Sequence, residues 1–198
     1  TDTPSSTVSE YKPISDYALI GDLYTAALVG KDGSIDWCPF PHLGDGSVFA
    51  AILDARKGGR YRVWLENAEG GDQEYIQDTN VLVTRSSSPR GTLQVIDLMP
   101  VDKVGDGFPM VSVLGIVRIL ECLEGEVEAQ VEWSPRFNYA RGATHLSAAQ
   151  GKWWAQSGEE TMVLRGLDQG TLIDGADGQQ VLRGKVTMKQ GERRALLC

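Results

Sequence analysis

The chain has 198 residues, 41% hydrophobic and 23% charged, which suits one soluble globular domain large enough to bury a core without disulfide or metal staples. With 27 acidic against 19 basic residues the net charge is −8. A surface of that sign repels phosphates, which argues against a nucleic-acid partner and an anionic membrane alike, and no apolar run approaches the ~20 residues that span a bilayer.

Thr1 to Lys12 is rich in Ser, Thr and Pro and is predicted to be a flexible N-terminal arm, until Tyr11 or Ile14 finds the core of a single domain over 13–198. It has neither the basic nor the apolar region of a signal peptide, regions that a mature secreted protein would also have lost, so both settings stay open here. Ala18-Leu19-Ile20 and Ala26-Ala27-Leu28-Val29 then surround Gly21-Asp22, and Lys31-Asp32-Gly33 offers a tight turn in which Gly33 takes positive φ at no steric cost. Short strands joined by a hairpin follow. After Trp37 the stretch Cys38 to Gly46 carries two prolines and two glycines, which exclude a helix interior and a central strand. Ser47 is placed to cap a short helix over Val48 to Leu53. The irregular loop bearing Trp37, Phe40 and His42 reads in two ways: a functional loop, or aromatic cover for the end of a β-core.

Tyr61, Val63 and Leu65 alternate with Arg60 and Arg62 as in a half-buried strand. Turns at Glu69-Gly70-Gly71-Asp72 and at Ser86 to Gly91 bound further strands over Glu74 to Thr84 and Thr92 to Met99. Val101 to Pro109 reads as a loop, and Asp102 and Asp106 lack the ligand spacing of a calcium site. Val111 to Leu123 is a β-branched apolar run that suits a strand buried on both faces, with Glu124-Gly125 turning it back.

Glu126 to Trp133 has the cleanest period in the chain: Val127, Ala129, Val131 and Trp133 toward a core, Glu126, Glu128, Gln130 and Glu132 toward water. Glycosidases use two carboxylates about 5–9.5 Å apart, and same-face neighbours on a strand sit near ~7 Å. The row still fails as a catalytic pair, because a general acid needs burial or a fixed neighbour to raise its pKa. Pro135-Arg136-Phe137-Asn138-Tyr139-Ala140-Arg141 then puts two arginines and two aromatics in one loop. That loop is either a polar contact site or a corner whose arginines satisfy local carbonyls. Trp153 and Trp154 are adjacent, so on a strand they point to opposite faces and one should be less buried, a candidate sugar platform or interface. Strands over Glu160 to Arg165, Val181 to Met188 and Glu192 to Cys198 complete an all-β pattern, an antiparallel β-sandwich (supersandwich-like) with one or two short helical turns.

Three widely spaced cysteines, Cys38, Cys122 and Cys198, give neither a disulfide framework nor a zinc motif, consistent with a reducing, cytoplasmic setting. Two histidines, no nucleophile motif and no phosphate loop leave no complete active site, no catalytic residue and no cofactor or metal to assign.

Several motifs together carry a family resemblance: Pro13-Ile14-x-Asp16-Tyr17-x-Leu19-Ile20-Gly21-Asp22, Asp32-Gly33-Ser34-Ile35-Asp36-Trp37, Ser47-Val48-Phe49-Ala50-Ala51, Asp78-Thr79-Asn80-Val81-Leu82, Asp97-x-Met99-Pro100 and Pro135-Arg136-Phe137. Nearly the whole chain resembles the N-terminal β-sandwich domain of bacterial glycoside hydrolase family 15 enzymes of the glucoamylase and trehalase-like kind. The resemblance implies a partner within the same protein, a helical (α/α)6 barrel that holds both catalytic carboxylates and hydrolyses α-glucosides by inversion. That barrel is not among these residues. It further implies that Trp37, Phe40, His42 and Asp45, with Arg136, Tyr139 and Arg141, lie at the domain interface or substrate entrance. The chain departs from the family pattern at Pro41-His42-Leu43-Gly44-Asp45-Gly46 and at Asn138, a position usually acidic. Two other readings stay open: a stand-alone carbohydrate-binding module using Trp153 or Trp154, and a structural sandwich whose apolar face pairs with itself.

Overall fold

The computed structural model describes residues 11–68, 71–103 and 110–198. The expected arm over 1–10, the turn residues 69–70 and Asp106 lie outside the described residues.

All strand pairings among the described residues are antiparallel. In the first sheet, β1 (Tyr17–Gly21), β2 (Ala26–Gly30) and β3 (Ser34–Pro39) form a meander, with β4 (Ser47–Phe49) on the far end of β3 and β5 (Tyr61–Leu65) beside its start. The second sheet begins with β6 (Asp72–Tyr75), β7 (Leu82–Ser88) and β8 (Gly91–Leu98), followed by the small pair β9 (Val101–Lys103) and β10 (Met110–Ser112). β11 (Val117–Trp133) belongs to both sheets, pairing with β8 through its first half and with β5 through its second. After the helical turn α1 (Phe137–Ala140), β12 (His145–Ala149), β13 (Lys152–Ser157) and β14 (Glu160–Leu164) make a three-stranded sheet. β15 (Gly170–Asp174) and β16 (Gln180–Lys189) extend the first sheet, and β17 (Arg193–Leu197) the second.

The inner faces meet in one core. From the first sheet come Val63, Ala129, Val131, Val186 and Met188, and from the second Leu82, Leu93, Val95, Leu120 and Leu196, all buried. Each fully buried Val or Leu contributes about 1.5–3 kcal/mol relative to exposure. The period read from Glu126 to Trp133 holds on its apolar face, where Trp133 is fully buried, while Glu128 and Glu132 pair on the outer face with Lys185 (2.7 Å) and Arg183 (2.9 Å). Gln130, expected in water, is instead buried at 8% exposure, between Trp64 of β5 and Lys185 of β16 in the sheet register.

One ion pair stands inside this core. Arg118 and Asp97 are both 0% exposed, joined by Nε–Oδ1 at 2.8 Å and Nη2–Oδ2 at 3.1 Å. Arg118 also donates from Nη1 to the Tyr61 carbonyl (3.0 Å) and from Nη2 to the Gly33 carbonyl (2.8 Å), and its guanidinium lies 4.9 Å from the centroid of the Tyr61 ring. A charge from the second sheet thereby bonds the backbone of the first. Gly33 has φ +78, as the turn requires, and a Cβ there would lie 1.9 Å from the Val63 carbonyl oxygen.

Several expectations need correction. Glu124-Gly125 is a bulge inside β11 and not a turn: the register with β8 shifts between Cys122 and Glu124. Gly125 takes φ +68 against the Arg90 carbonyl, where a Cβ would approach to 2.2 Å. The bulge bends one strand from sheet to sheet, as bulges at sandwich corners do. Val111 to Leu123 is not buried on both faces either. It splits at residues 113–116, after which Arg118, Leu120 and Cys122 point inward and Val117, Ile119 and Glu121 outward. Ser47 opens strand β4 and not a helix, because its hydroxyl donates to the Cys38 and Phe49 carbonyls and so joins strand pairing. Part of the loop expected over Val101 to Pro109 is strand pairing between β9 and β10. Tyr11 and Ile14 stay exposed, and the tie to the body is Lys12, whose Nζ lies 2.9 Å from Asp32 Oδ1 and 2.5 Å from Asp36 Oδ2.

Candidate domain interface

Two stretches singled out from sequence, Trp37 to Asp45 and Pro135 to Arg141, meet at one end of the sandwich, although Cys38 and Pro39, expected in the loop, are the end of strand β3 paired with β4. Gly46 rests on Asn138 so closely that an added Cβ would sit 2.9 Å from its Cα, and the Arg136 N–H donates to the Val48 carbonyl at 2.8 Å. Within the first loop Asp45 Oδ2 accepts from the His42 N–H (3.0 Å), so this carboxylate holds its own turn. Trp37 is half-buried in register with Leu28, and Phe40 is half-buried against the core.

Arg136 faces inward. It is 2% exposed and forks onto Asp177 through Nε–Oδ2 at 2.7 Å and Nη2–Oδ1 at 3.1 Å, with Nη1 on the Pro135 carbonyl. Burial alone would raise the Asp177 carboxyl, but the Arg136 hydrogen bond, the Gln179 N–H and the guanidinium charge outweigh it and hold it below the usual carboxylate range. The pair anchors the β15–β16 hairpin to this loop. Beyond the anchor, Asn138, Tyr139 and Ala140 are all left-handed, with φ of +49, +59 and +58. For non-glycine residues that conformation costs roughly 1–2 kcal/mol each, and such strain concentrates at functional loops. It projects Tyr139, 41% exposed, with the Arg141 guanidinium 5.9 Å from its ring centroid.

Sequence reading missed a third and a fourth loop that join the same end. Asp22 is 1% exposed, and its Oδ1 accepts from the Tyr24 and Thr25 N–H groups (3.1 and 2.9 Å) while Oδ2 accepts from the Ser112 hydroxyl. Around this hub Leu23 (φ +76) and Leu114 (φ +51) are left-handed, and both side chains are exposed. The His42 ring lies 5.8 Å from that of Tyr24, and the Leu43 N–H donates to the Tyr24 carbonyl at 2.9 Å. Leu23, Tyr24, Leu43, Val113, Leu114 and Tyr139 are all exposed here. The available signal was a hairpin turn whose central positions are Leu23 and Tyr24, where polar residues are usual.

Trp153 and Trp154 lie elsewhere, on β13, both half-buried. Trp153 packs against the core and donates from its indole to the Leu167 carbonyl at 3.0 Å, and Trp154 donates to the Ala149 carbonyl at 3.3 Å. Among the described residues no group of three or more His, Cys, Asp or Glu could hold a metal ion. No helix among them is long and apolar enough to cross a membrane.

Fold and loops together define an antiparallel sandwich that gathers an apolar, loop-built surface at one end. Residues 7–195 match the family model described as trehalase-like, N-terminal. The chain therefore belongs to the trehalase-like N-terminal domain family. It is 33% identical over 139 residues to a trehalase of Thermoplasma volcanium, covering 68% of this chain and 22% of that protein. To trehalase 2 of Sulfolobus acidocaldarius it is 34% identical over 123 residues, 62% of this chain and 19% of that one. A Mycobacterium tuberculosis trehalase is 29% identical over 201 residues, 92% of this chain and 29% of that protein. The chain thus spans between about a fifth and three tenths of the length of these relatives. No solved structure matches it significantly.

Proposed function

We propose that this chain is the non-catalytic N-terminal domain of an α-glucoside hydrolase of the family 15, trehalase-like kind, and that it packs on and supports the helical barrel that performs the hydrolysis. The observation that carries the reading is the loop end: strained turns, held by the Asp22–Ser112 and Arg136–Asp177 contacts, display apolar side chains to the outside. Exposed apolar groups gathered in this way mark interaction surfaces. Trp37, Phe40, His42, Asp45, Tyr139 and Arg141 belong to this surface or its support, and Arg136 positions the second loop without touching a partner. The free thiols Cys38, Cys122 and Cys198 support a reducing, cytoplasmic setting.

The chemistry supports a location for catalysis outside this domain. A general acid in glycoside hydrolysis needs a carboxyl with a raised pKa. Glu128, from the glutamate row, is held low by its Lys185 hydrogen bond. At Asp32 burial pushes upward, but the Lys12 charge and hydrogen bond and the Arg62 charge outweigh it.

Replacing Leu23 and Leu43 by serine tests the proposal. In the isolated chain such surface changes should move stability by no more than about 0.5 kcal/mol. In the enzyme that carries the domain they should lower the melting temperature of the barrel or reduce turnover. Unchanged melting and kinetics there would refute docking through this end.

A further inference from the structure

Beside the Arg136–Asp177 anchor lies a cavity of about 240 Å3, walled by Arg56, Arg60, Glu132, Arg136, Asp174, Asp177 and Arg183. It is smaller than the roughly 300–1,000 Å3 of pockets for drug-sized ligands, which limits the occupant to one small molecule.

Several charges of the wall are already paired. Arg136 and Asp177 are joined and only 2% and 5% exposed, which makes one wall rigid. Arg183 places Nε and Nη2 on the same oxygen of Glu132, Oε2, at 3.1 and 2.9 Å. Arg60 Nε lies 4.0 Å from Asp36 Oδ1, a buried oxygen without a hydrogen-bond partner. Four guanidinium groups, Arg56, Arg60, Arg136 and Arg183, thus stand beside four carboxylates, Glu132, Asp174 and Asp177 on the wall and Asp36 behind it, so an anion meets carboxylates and a cation meets guanidinium groups.

A neutral molecule with adjacent hydroxyls can use both kinds of group. Each hydroxyl donates one hydrogen bond and accepts up to two, so it can give its proton to a carboxylate while receiving an N–H. The acceptors exist: among the described residues, Glu132 Oε1 and the Asp174 carboxylate have no hydrogen-bond partner. Ile173 and Val181, in register across β15 and β16, add an apolar strip for ring C–H groups. We infer that this cavity binds a small neutral polyol with vicinal hydroxyls, of the size of a single sugar ring. The site shares the Arg136–Asp177 pair with the support of the loop end, but its ligand-facing groups Glu132 and Asp174 are not part of that surface, and it does not depend on the docking reading.

The test is calorimetric titration of this chain with glucose, trehalose and inorganic phosphate. Saturable sugar binding is expected, with a dissociation constant on the order of 1 mM for a ligand of this size. Glu132→Gln and Asp174→Asn should each weaken it about tenfold, the scale of one hydrogen bond to a charged group, with far-UV dichroism and melting unchanged. Trp154→Ala should leave it intact. Absence of sugar binding, preference for phosphate, or loss in Trp154→Ala with retention in both cavity variants would each overturn the inference.

Discussion

Arg118 and Tyr139 stand at opposite extremes of one domain. The first is a charged side chain with 0% exposure, its guanidinium bonded to a carboxylate of its own sheet and to two carbonyls of the other. The second is an aromatic side chain with 41% exposure, displayed by a left-handed backbone. In the interior the costly group is charge, and it is fully satisfied; at the loop end the costly features are strain and exposed apolar surface, and both are left standing. Interior polarity of this kind specifies how two sheets stack, whereas uncompensated cost at a surface points to something that covers it.

The largest effect should come from breaking the interior pair. Asp97→Ala leaves Arg118 buried without its carboxylate and should cost about 3–5 kcal/mol, much of the roughly 5–15 kcal/mol available to a domain. Urea unfolding would show the loss, and a change under 1 kcal/mol would mean that water reaches Arg118.

Next is Asp177, which belongs to both regimes, since its buried pair with Arg136 supports the exposed loop. Its folded pKa is held low, first against the opposing effect of burial and then by Arg136. The group therefore adds stability above its unfolded pKa of about 3.9, and that stability is lost as pH falls through the folded value. Asp177→Asn should be less stable than the parent at neutral pH, with the gap narrowing below about pH 4 in urea midpoints. A constant gap would assign the loss to shape and not to charge.

The smallest effect has the opposite sign. Ala140→Gly removes a left-handed penalty of roughly 1–2 kcal/mol and adds unfolded-state freedom of about 0.5–1 kcal/mol. Calorimetry should show a gain of around half a kcal/mol or none. A clear loss would mean that the backbone there is not strained.

How legible all this was in the sequence follows from the range of the interactions. Alternation from Glu126 to Trp133 told which face of that strand carries the core residues, because side-chain direction is local, whereas the burial of Gln130 depends on the strands paired on either side. The continuity of β11 was not legible: Glu124-Gly125 has turn composition, and only pairing with β8 turns it into a bulge. Ser47 likewise has the composition of a cap, yet its partners are the Cys38 and Phe49 carbonyls of a strand pair. Asp97 stood in a recognised motif, but Arg118, 21 positions away, gave no signal within an apolar run. Of the loop end, the aromatic and basic residues around Trp37 and Arg136 drew notice by composition. Leu23 and Leu114 did not, because an exposed leucine looks in sequence like any core residue.

The most direct test of the central claim is a hydrolysis assay on the purified 198-residue chain with trehalose and maltose as substrates. Folded protein that releases no glucose, beside an active enzyme carrying the same domain, is the predicted result. Steady glucose release by the chain alone would contradict the assignment of catalysis to a partner domain.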